Sequence, residues 1–226
     1  HIFFDLDRTL WDFEKNSKQT LAELHVDFGL DQKIAFDAFF ARYKRINGTL
    51  WGKYRKNKIT KEKLRTQRFT DTLLHFNIDP DPIADDFGMA YIQNSPRKTM
   101  LIPGTENLLE GLSKKYKLHI ITNGFEEVQH IKLSNCKIDH YFDVVVCSEQ
   151  VGVQKPHKKV YAHALEQSGA SAEKSLMIGD DYEADVLGAH KAGLHSIWFN
   201  PNKNARLHNF VEVKMLREIP HHLGVA

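Results

Sequence analysis

Two aspartates, Asp5 and Asp7, close the apolar opening HIFFDLDRTLWDF (residues 1–13). Side chains alternate along a strand with period two, so both carboxylates fall on one side. Two carboxylates about 4 Å apart repel by roughly 4 kcal/mol at an effective dielectric of about 20. Something must offset that repulsion. Three later apolar runs also end in reactive side chains. KLHIIT (117–122) runs into Thr122-Asn123-Gly124. FDVVVC (142–147) is followed by SEQVGVQKP, which carries Lys155 before Pro156. SLMIGD (175–180) ends in Gly179-Asp180-Asp181, with Asp185 five residues beyond Asp180.

Ligands of a parallel α/β sheet gather at the carboxyl ends of its strands. One rim would then collect up to five carboxylates, a lysine, a threonine and a small-residue turn. That set suits an oxygen-ligated cation beside a phosphate. Mg2+ is a hard ion that takes a few carboxylates, waters and phosphate oxygens. It would offset the repulsion among Asp5, Asp7 and Asp180. Lys155 would neutralise Asp5 or the phosphate. Thr122 and the backbone N–H groups of Asn123 and Gly124 could donate to phosphate oxygens. An aspartate beside a metal and a lysine can attack phosphorus, and a second carboxylate can protonate the leaving oxygen.

The elements that must position these groups follow from the pattern. The apolar runs, with HSIWF (195–199), are short and poorly alternating, as strands buried on both faces are. Helical stretches separate them: GTENLLEGLSKK after Pro103-Gly104, KPHKKVYAHALEQSG stopping at Gly169, and ADVLGAHKAG stopping at Gly193. Alternating strands and helices predict a doubly wound parallel α/β sheet. Residues 14–95 break the rhythm with helical runs alone, among them NSKQTLAELHVDFG, DQKIAFDAFFARYKRING, ITKEKLRTQRFTDTLLHFN and a turn-plus-helix DPDPIADDFGMAYIQNSP. Asn16 or Ser17 is expected to cap the first and Gly29 to end it; Thr60 starts the third. The organisation expected is an α/β core of residues 1–13 and 96–226 with a helical module, 14–95, inserted after the first strand.

The motifs DLDRTL, ITNG, QKP and GDDYEAD, in this order and each at a strand end, resemble the haloacid dehalogenase-like (HAD) superfamily of phosphohydrolases. The similarity covers the whole chain, and the insertion resembles the small helical cap of that family. The resemblance implies a Rossmann-like core and a Mg2+-dependent phosphomonoesterase. Asp5 would be the nucleophile forming an aspartyl-phosphate, and Asp7 the general acid/base with its backbone carbonyl on the metal. Thr122 and Lys155 would position phosphate and nucleophile. Asp180 would ligate Mg2+ beside Asp5 and Asp7, with Asp181 or Asp185 in support. Gly is frequent after the second aspartate in this family; here Arg8 stands there and receives no catalytic role. The opening DLDRTLWDFEKNS, the turn ITNGF and the segment GVQKPH are most similar to pyrimidine 5'-nucleotidases. Sugar-phosphate, phosphoglycolate and acylneuraminate-phosphate phosphatases look alike and stay open. Phosphosugar mutase has no dedicated feature, and 2-haloacid dehalogenases lack a second acid such as Asp7.

The chain of 226 residues carries 31 Lys and Arg against 29 Asp and Glu, which signals no nucleic-acid polymer as partner. No apolar run reaches the roughly 18 residues of a membrane span. Cys136 and Cys147 lack metal or redox spacing and are read as reduced thiols of a cytoplasmic protein. The expected partner is a small phosphate ester, a nucleotide by preference. Eleven Lys and Arg against the single acid Glu62 fill Arg42–Arg68. That stretch is a solvated face or an attractor of anionic substrate. Trp11, Phe13, Trp51 and Tyr54 are the aromatic candidates for substrate recognition, with packing as the plainer alternative.

Overall fold

The short apolar runs become strands of one parallel sheet. The computed structural model describes residues 1–81, 83–204 and 209–224. In chain order, β1 (Ile2–Phe4) leads into α1 (Phe13–Asp27), α2 (Phe36–Tyr54), α3 (Lys61–His75) and α4 (Ile83–Asn94). Then come α5 (Thr105–Ser113), β2 (Leu118–Thr122), α6 (Glu126–Asn135), β3 (Phe142–Cys147), α7 (Ser148–Val151) and α8 (Lys158–Ser168). β4 (Leu176–Gly179) runs into a π-helical stretch, Tyr182–Leu187, and on into α9 (Gly188–Lys191); β5 (His195–Phe199), β6 (Val211–Val213) and α10 (Ile219–His222) complete the series.

Among the described residues the sheet has six strands in the order β3-β2-β1-β4-β5-β6. The first five match the expected runs. β6 has three residues, too few for any periodicity, and pairs in parallel with β5 through Ile197 and Val211. The strand order reverses about β1, where a doubly wound sheet opens its binding crevice. Phe4 is in register with Ile120 on β2 and Ile178 on β4. That register brings Asp5, the Thr122 end of β2 and the Gly179-Asp180 end of β4 to one edge.

Both faces of the sheet are covered, which is why the strands do not alternate. Ile2, Phe4, Ile120 and Ile178 pack on one side with Leu108, Leu109 and Leu112 of α5 and Leu133 of α6. Phe3, Ile121 and Met177 pack on the other with Val160, Tyr161 and Ala164 of α8. Phe3 and Phe4 are each fully buried, and such a ring contributes about 1.5–3 kcal/mol. Cys136 and Cys147 are free and buried, and burial pushes their thiols up to about 11 and about 12.

The chain divides into two compact units, His1–Phe13 with Thr99–Ala226, and Glu14–Lys98. The second boundary lies three residues beyond the expected 95/96. A 3-10 turn, Ser95–Arg97, continues from α4, and Lys98 Nζ binds Glu23 Oε1 at 2.7 Å. The helical unit has its own aromatic core, with Phe39, Tyr43, Phe69, Phe87 and Tyr91 around Leu21, Leu24 and Leu73. Asn16 and Ser17 do not cap α1: the helix starts at Phe13 and buries both, and Ser17 Oγ accepts from Tyr91 Oη at 2.9 Å. Gly29 does follow the helix in a left-handed conformation, and Thr60 caps α3 by accepting from Lys63 N. Gly48 sits inside α2, whose packing against α3 outweighs a glycine penalty of about 1 kcal/mol. Pro82, in the turn expected before α4, lies outside the described residues. No helix among the described residues is long and apolar enough to cross a membrane.

Candidate active site

Lys155 is the hub of the strand-end rim. Its ammonium is buried and donates to Asp5 Oδ1 at 2.8 Å, Asp185 Oδ1 at 2.7 Å and the Ile121 carbonyl at 2.6 Å. All three protons of the ammonium are therefore used. Burial works against the charge, but Asp185 and Asp5 together hold Lys155 above the ordinary lysine value. The two acids feel the same burial with the opposite sign. It raises Asp5 despite Lys155 and lifts Asp185 to about 7.

The turn after β4 delivers Asp185 by close packing. A Cβ at Gly179 would overlap the Asp185 carboxylate, so only glycine fits there. Asp185 Oδ2 accepts from Asp181 N at 3.0 Å, and Asp181 Oδ1 accepts from Glu183 N and Ala184 N. Asp181 is thus the N-cap of the following helical stretch. Asp185 lies one turn inside that stretch and faces Lys155. Tyr161 Oη donates to the Ala184 carbonyl, and Trp198 Nε1 donates to the Asp180 carbonyl at 3.0 Å.

Asp180 completes the cluster. One oxygen from each of Asp5, Asp180 and Asp185 lies within 4.8 Å of the others. Burial first, then the charges of Asp5 and Asp185, hold the Asp180 carboxyl well above the usual range, with Arg8 opposing. Among the described residues no lysine, arginine or histidine forms an ion pair with Asp180. Once ionised, three carboxylates against one ammonium leave two negative charges, which a divalent cation would neutralise. Carboxylate oxygens of this kind fit Mg2+ and not a soft metal.

Asp7 turns to a different partner. Its Oδ1 accepts from Lys132 Nζ at 2.6 Å, and its Oδ2 lies 3.5 Å from Gln129 Nε2. Asp5 and Asp7 are therefore held apart by two lysines from two segments. The backbone at Asp7 is fixed by a bridge to Trp11, and Arg8 N donates to the Trp11 carbonyl at 2.8 Å. Arg8 is exposed at φ 72, with its guanidinium 4.2 Å from the Phe13 ring centre.

At the end of β2, Thr122 is buried and its Oγ1 accepts from Gly124 N at 3.0 Å. The Gly124 N–H, expected to face a phosphate, is thus turned onto Thr122, whose own hydroxyl proton points elsewhere. The Asn123 amide engages the backbone of Lys155.

The aromatic candidates fare differently. Trp11 is 1% exposed, packed in the sheet core with Lys132 Nζ 4.4 Å from its ring centre. It is a wall of the α/β unit and offers no stacking face. Phe13 carries Arg8 on one face. Trp51 and Tyr54 meet edge-on in α2, half-buried, with ring centres 5.7 Å apart. Within the basic stretch, Arg68 is no surface charge: it is buried with Nη1 3.4 Å from Tyr43 Oη and Asn47 Oδ1. Lys132, Gln129, Tyr161 and Trp198 were not anticipated. For the first two a signal existed, since they share the buried face of Phe125, Leu133 and Cys136 at helical spacing.

Residues 2–199 match the model of the haloacid dehalogenase-like hydrolases. The chain is 36% identical over 201 residues to the pyrimidine 5'-nucleotidase YjjG of Escherichia coli, covering 88% of this chain and 85% of that protein. It is 32% identical over 203 residues to the pyrimidine 5'-nucleotidase PynA of Streptococcus pneumoniae, covering 89% and 84%. A magnesium-bound structure of the HAD-hydrolase YfnB of Bacillus subtilis superposes with a TM-score of 0.89 at 29% identity, covering 99% of this chain and 98% of that one.

Proposed function

The chain belongs to the haloacid dehalogenase-like hydrolases, and from that premise we propose that it is a Mg2+-dependent phosphatase of pyrimidine nucleoside 5'-monophosphates acting through an aspartyl-phosphate. The observation that carries the reaction class is the buried Lys155 shared by Asp5 and Asp185, with Asp180 beside them. Such an arrangement fixes one carboxylate as a rigid attacking group and leaves a surplus of negative charge for a dication.

Asp5 is the nucleophile. Its oxygen forms a bond to phosphorus as the bond to the nucleoside oxygen breaks, and the Asp7 carboxyl passes its proton to that oxygen. In the second half a water oxygen attacks the phosphorus, the Asp5 oxygen leaves, and Asp7 takes up the water's proton. Lys155 holds Asp5 in line and keeps Asp185 from repelling the phosphate. The Thr122 hydroxyl donates to a phosphate oxygen. The side chains of Asp5 and Asp180 and the backbone carbonyl of Asp7 would hold Mg2+, which when bound supplies positive charge against the transferring phosphoryl group.

Similarity to two pyrimidine 5'-nucleotidases, at 36% and 32% identity, supports the substrate class. The test is a panel of phosphate esters at equal, sub-saturating concentration. UMP, dUMP and dTMP are expected to exceed glucose 6-phosphate, phosphoglycolate and acylneuraminate 9-phosphate in kcat/KM. A sugar phosphate turned over faster than every pyrimidine monophosphate would overturn the nucleotidase assignment and keep the phosphatase.

A further inference from the structure

We infer that Lys132, together with Gln129, is a positioning residue of the reaction, holding the Asp7 carboxylate beside the phosphate turn where the leaving oxygen is protonated. The inference rests on the phosphohydrolase reading above and adds to it two residues from α6.

The geometry is specific. Lys132 Nζ lies 2.6 Å from Asp7 Oδ1, within the range of a strong charge-assisted hydrogen bond. It also lies 3.4 Å from Gln129 Oε1, and Gln129 Nε2 approaches the other oxygen of Asp7 at 3.5 Å. Both oxygens of Asp7 therefore face donors from one helix. Gln129 is fully buried, and a Cβ at Gly124 would overlap its amide. The same Cβ would lie 3.3 Å from Asp7 Oδ2. Asp7 is thereby placed over the Thr122–Gly124 turn, the proposed phosphate seat. Trp11 closes the far side, its ring centre 4.4 Å from the ammonium.

Packing alone does not call for this arrangement. Lys132 is 5% exposed on the face of α6 that also buries Leu133 and Cys136. An apolar side chain there would avoid desolvating an ammonium, and replacing a buried ion pair by apolar groups is often neutral or stabilising. Lys155 already serves Asp5 and Asp185, so Lys132 is the separate anchor for Asp7. Without it, Asp7 would share the rim with three other acids that repel it. Lys132 touches neither substrate nor phosphorus; it acts through the orientation of Asp7.

The test compares kcat/KM for two leaving groups, UMP as an alkyl ester and p-nitrophenyl phosphate as an activated aryl ester. Glucose 6-phosphate replaces UMP should the substrate be a sugar phosphate. An aryl leaving group needs little protonation, so it reports the nucleophile and the phosphate site without Asp7. Lys132→Met is expected to lower kcat/KM for the alkyl ester about 10- to 100-fold and for the aryl ester less than about threefold. Lys132→Arg, which keeps the charge, is expected to recover most of the alkyl activity. If Lys132→Met fails to fold by circular dichroism, Gln129→Met is read in the same way. Equal losses on both esters, no loss on either, or an arginine variant as poor as the methionine one would overturn the inference. A wild-type protein that hydrolyses neither ester would overturn the phosphohydrolase reading itself, and this inference with it.

Discussion

Asn123 and Lys155 hold each other by a reciprocal pair of hydrogen bonds. The Asn123 side-chain amide donates to the Lys155 carbonyl at 3.1 Å and accepts from the Lys155 N–H at 2.8 Å. The loop after β3 is thus pinned to the turn after β2, and the Lys155 side chain enters the site from a fixed backbone. Two partly buried hydrogen bonds contribute about 1–3 kcal/mol together. Asn123→Ala is expected to lower stability by that order in a denaturant titration. It should also lower kcat about 10- to 100-fold, since a displacement of an ångström at the nucleophile's anchor costs that much. A variant with lowered stability and unchanged kcat would show that the clamp serves the fold alone.

Asp5→Asn should abolish turnover of every phosphate ester while leaving the fold intact, because an amide keeps the shape and loses the attacking oxygen. Loss of its charge also relieves Asp180 and Asp185, so the thermal midpoint of this variant should hold or rise. Retention of more than a few per cent of wild-type kcat would refute covalent catalysis by Asp5. Asp7→Asn should hurt UMP more than p-nitrophenyl phosphate, for the reason that separates those esters above.

Much of this site can be read in the sequence because each of its parts sits at the end of an apolar run. Asp5 and Asp180 follow β1 and β4 directly and Thr122 closes β2, so locating the strands locates the residues. What stays hidden is reached through space. Lys132 lies 125 residues from Asp7 and enters from α6, a helix outside the expected series. Trp198 reads as one more apolar residue of β5, and only the sheet order puts its indole N–H against Asp180. Asp181 and Asp185 are both good caps by type, and the choice between them turns on which one Lys155 has drawn inward. Trp11 misleads for the opposite reason: its place beside the motif suggests a substrate, while the fold spends it on the core.

The metal-free protein should lose stability as pH rises towards neutrality. Burial holds Asp5 and Asp180 above the carboxylate range and Asp185 at about 7. Unfolded carboxyls titrate near 4, so between about pH 4 and about pH 7 the native state binds more protons than the unfolded chain. Stability from these groups is then fully present below about pH 4 and is lost as pH rises through about 7. Lys155, held above its ordinary value, stays charged across this window and adds no slope there. A divalent cation displaces the same protons. The difference in Tm between excess Mg2+ and excess chelator should therefore widen from about pH 5 to about pH 8. A difference that stays constant over that range would mean that the acids of the rim are not the ones that take the metal.

Substrate choice is expected to depend on residues outside the phosphate-binding motifs, because those motifs recognise phosphate and cation in any ester. With Trp11 committed to the core and Phe13 covered by Arg8, Trp51 and Tyr54 are the remaining aromatic candidates. An aromatic face suits a flat base, and stacking contributes about 1–3 kcal/mol in nucleic-acid binders. A tenfold preference in kcat/KM needs about 1.4 kcal/mol of differential transition-state binding, which one stacked base supplies. Trp51→Ala should accordingly lower kcat/KM for UMP about 5- to 100-fold and leave glucose 6-phosphate within about twofold, so that the ratio between them narrows. The residue's edge contact with Tyr54 gives the control. Tyr54→Ala removes that contact and keeps the indole, so a loss of selectivity in Trp51→Ala with little change in Tyr54→Ala identifies the indole as the recognising group. Equal losses on both substrates in Trp51→Ala would assign the tryptophan to the packing of α2 and send the search for base recognition to other side chains.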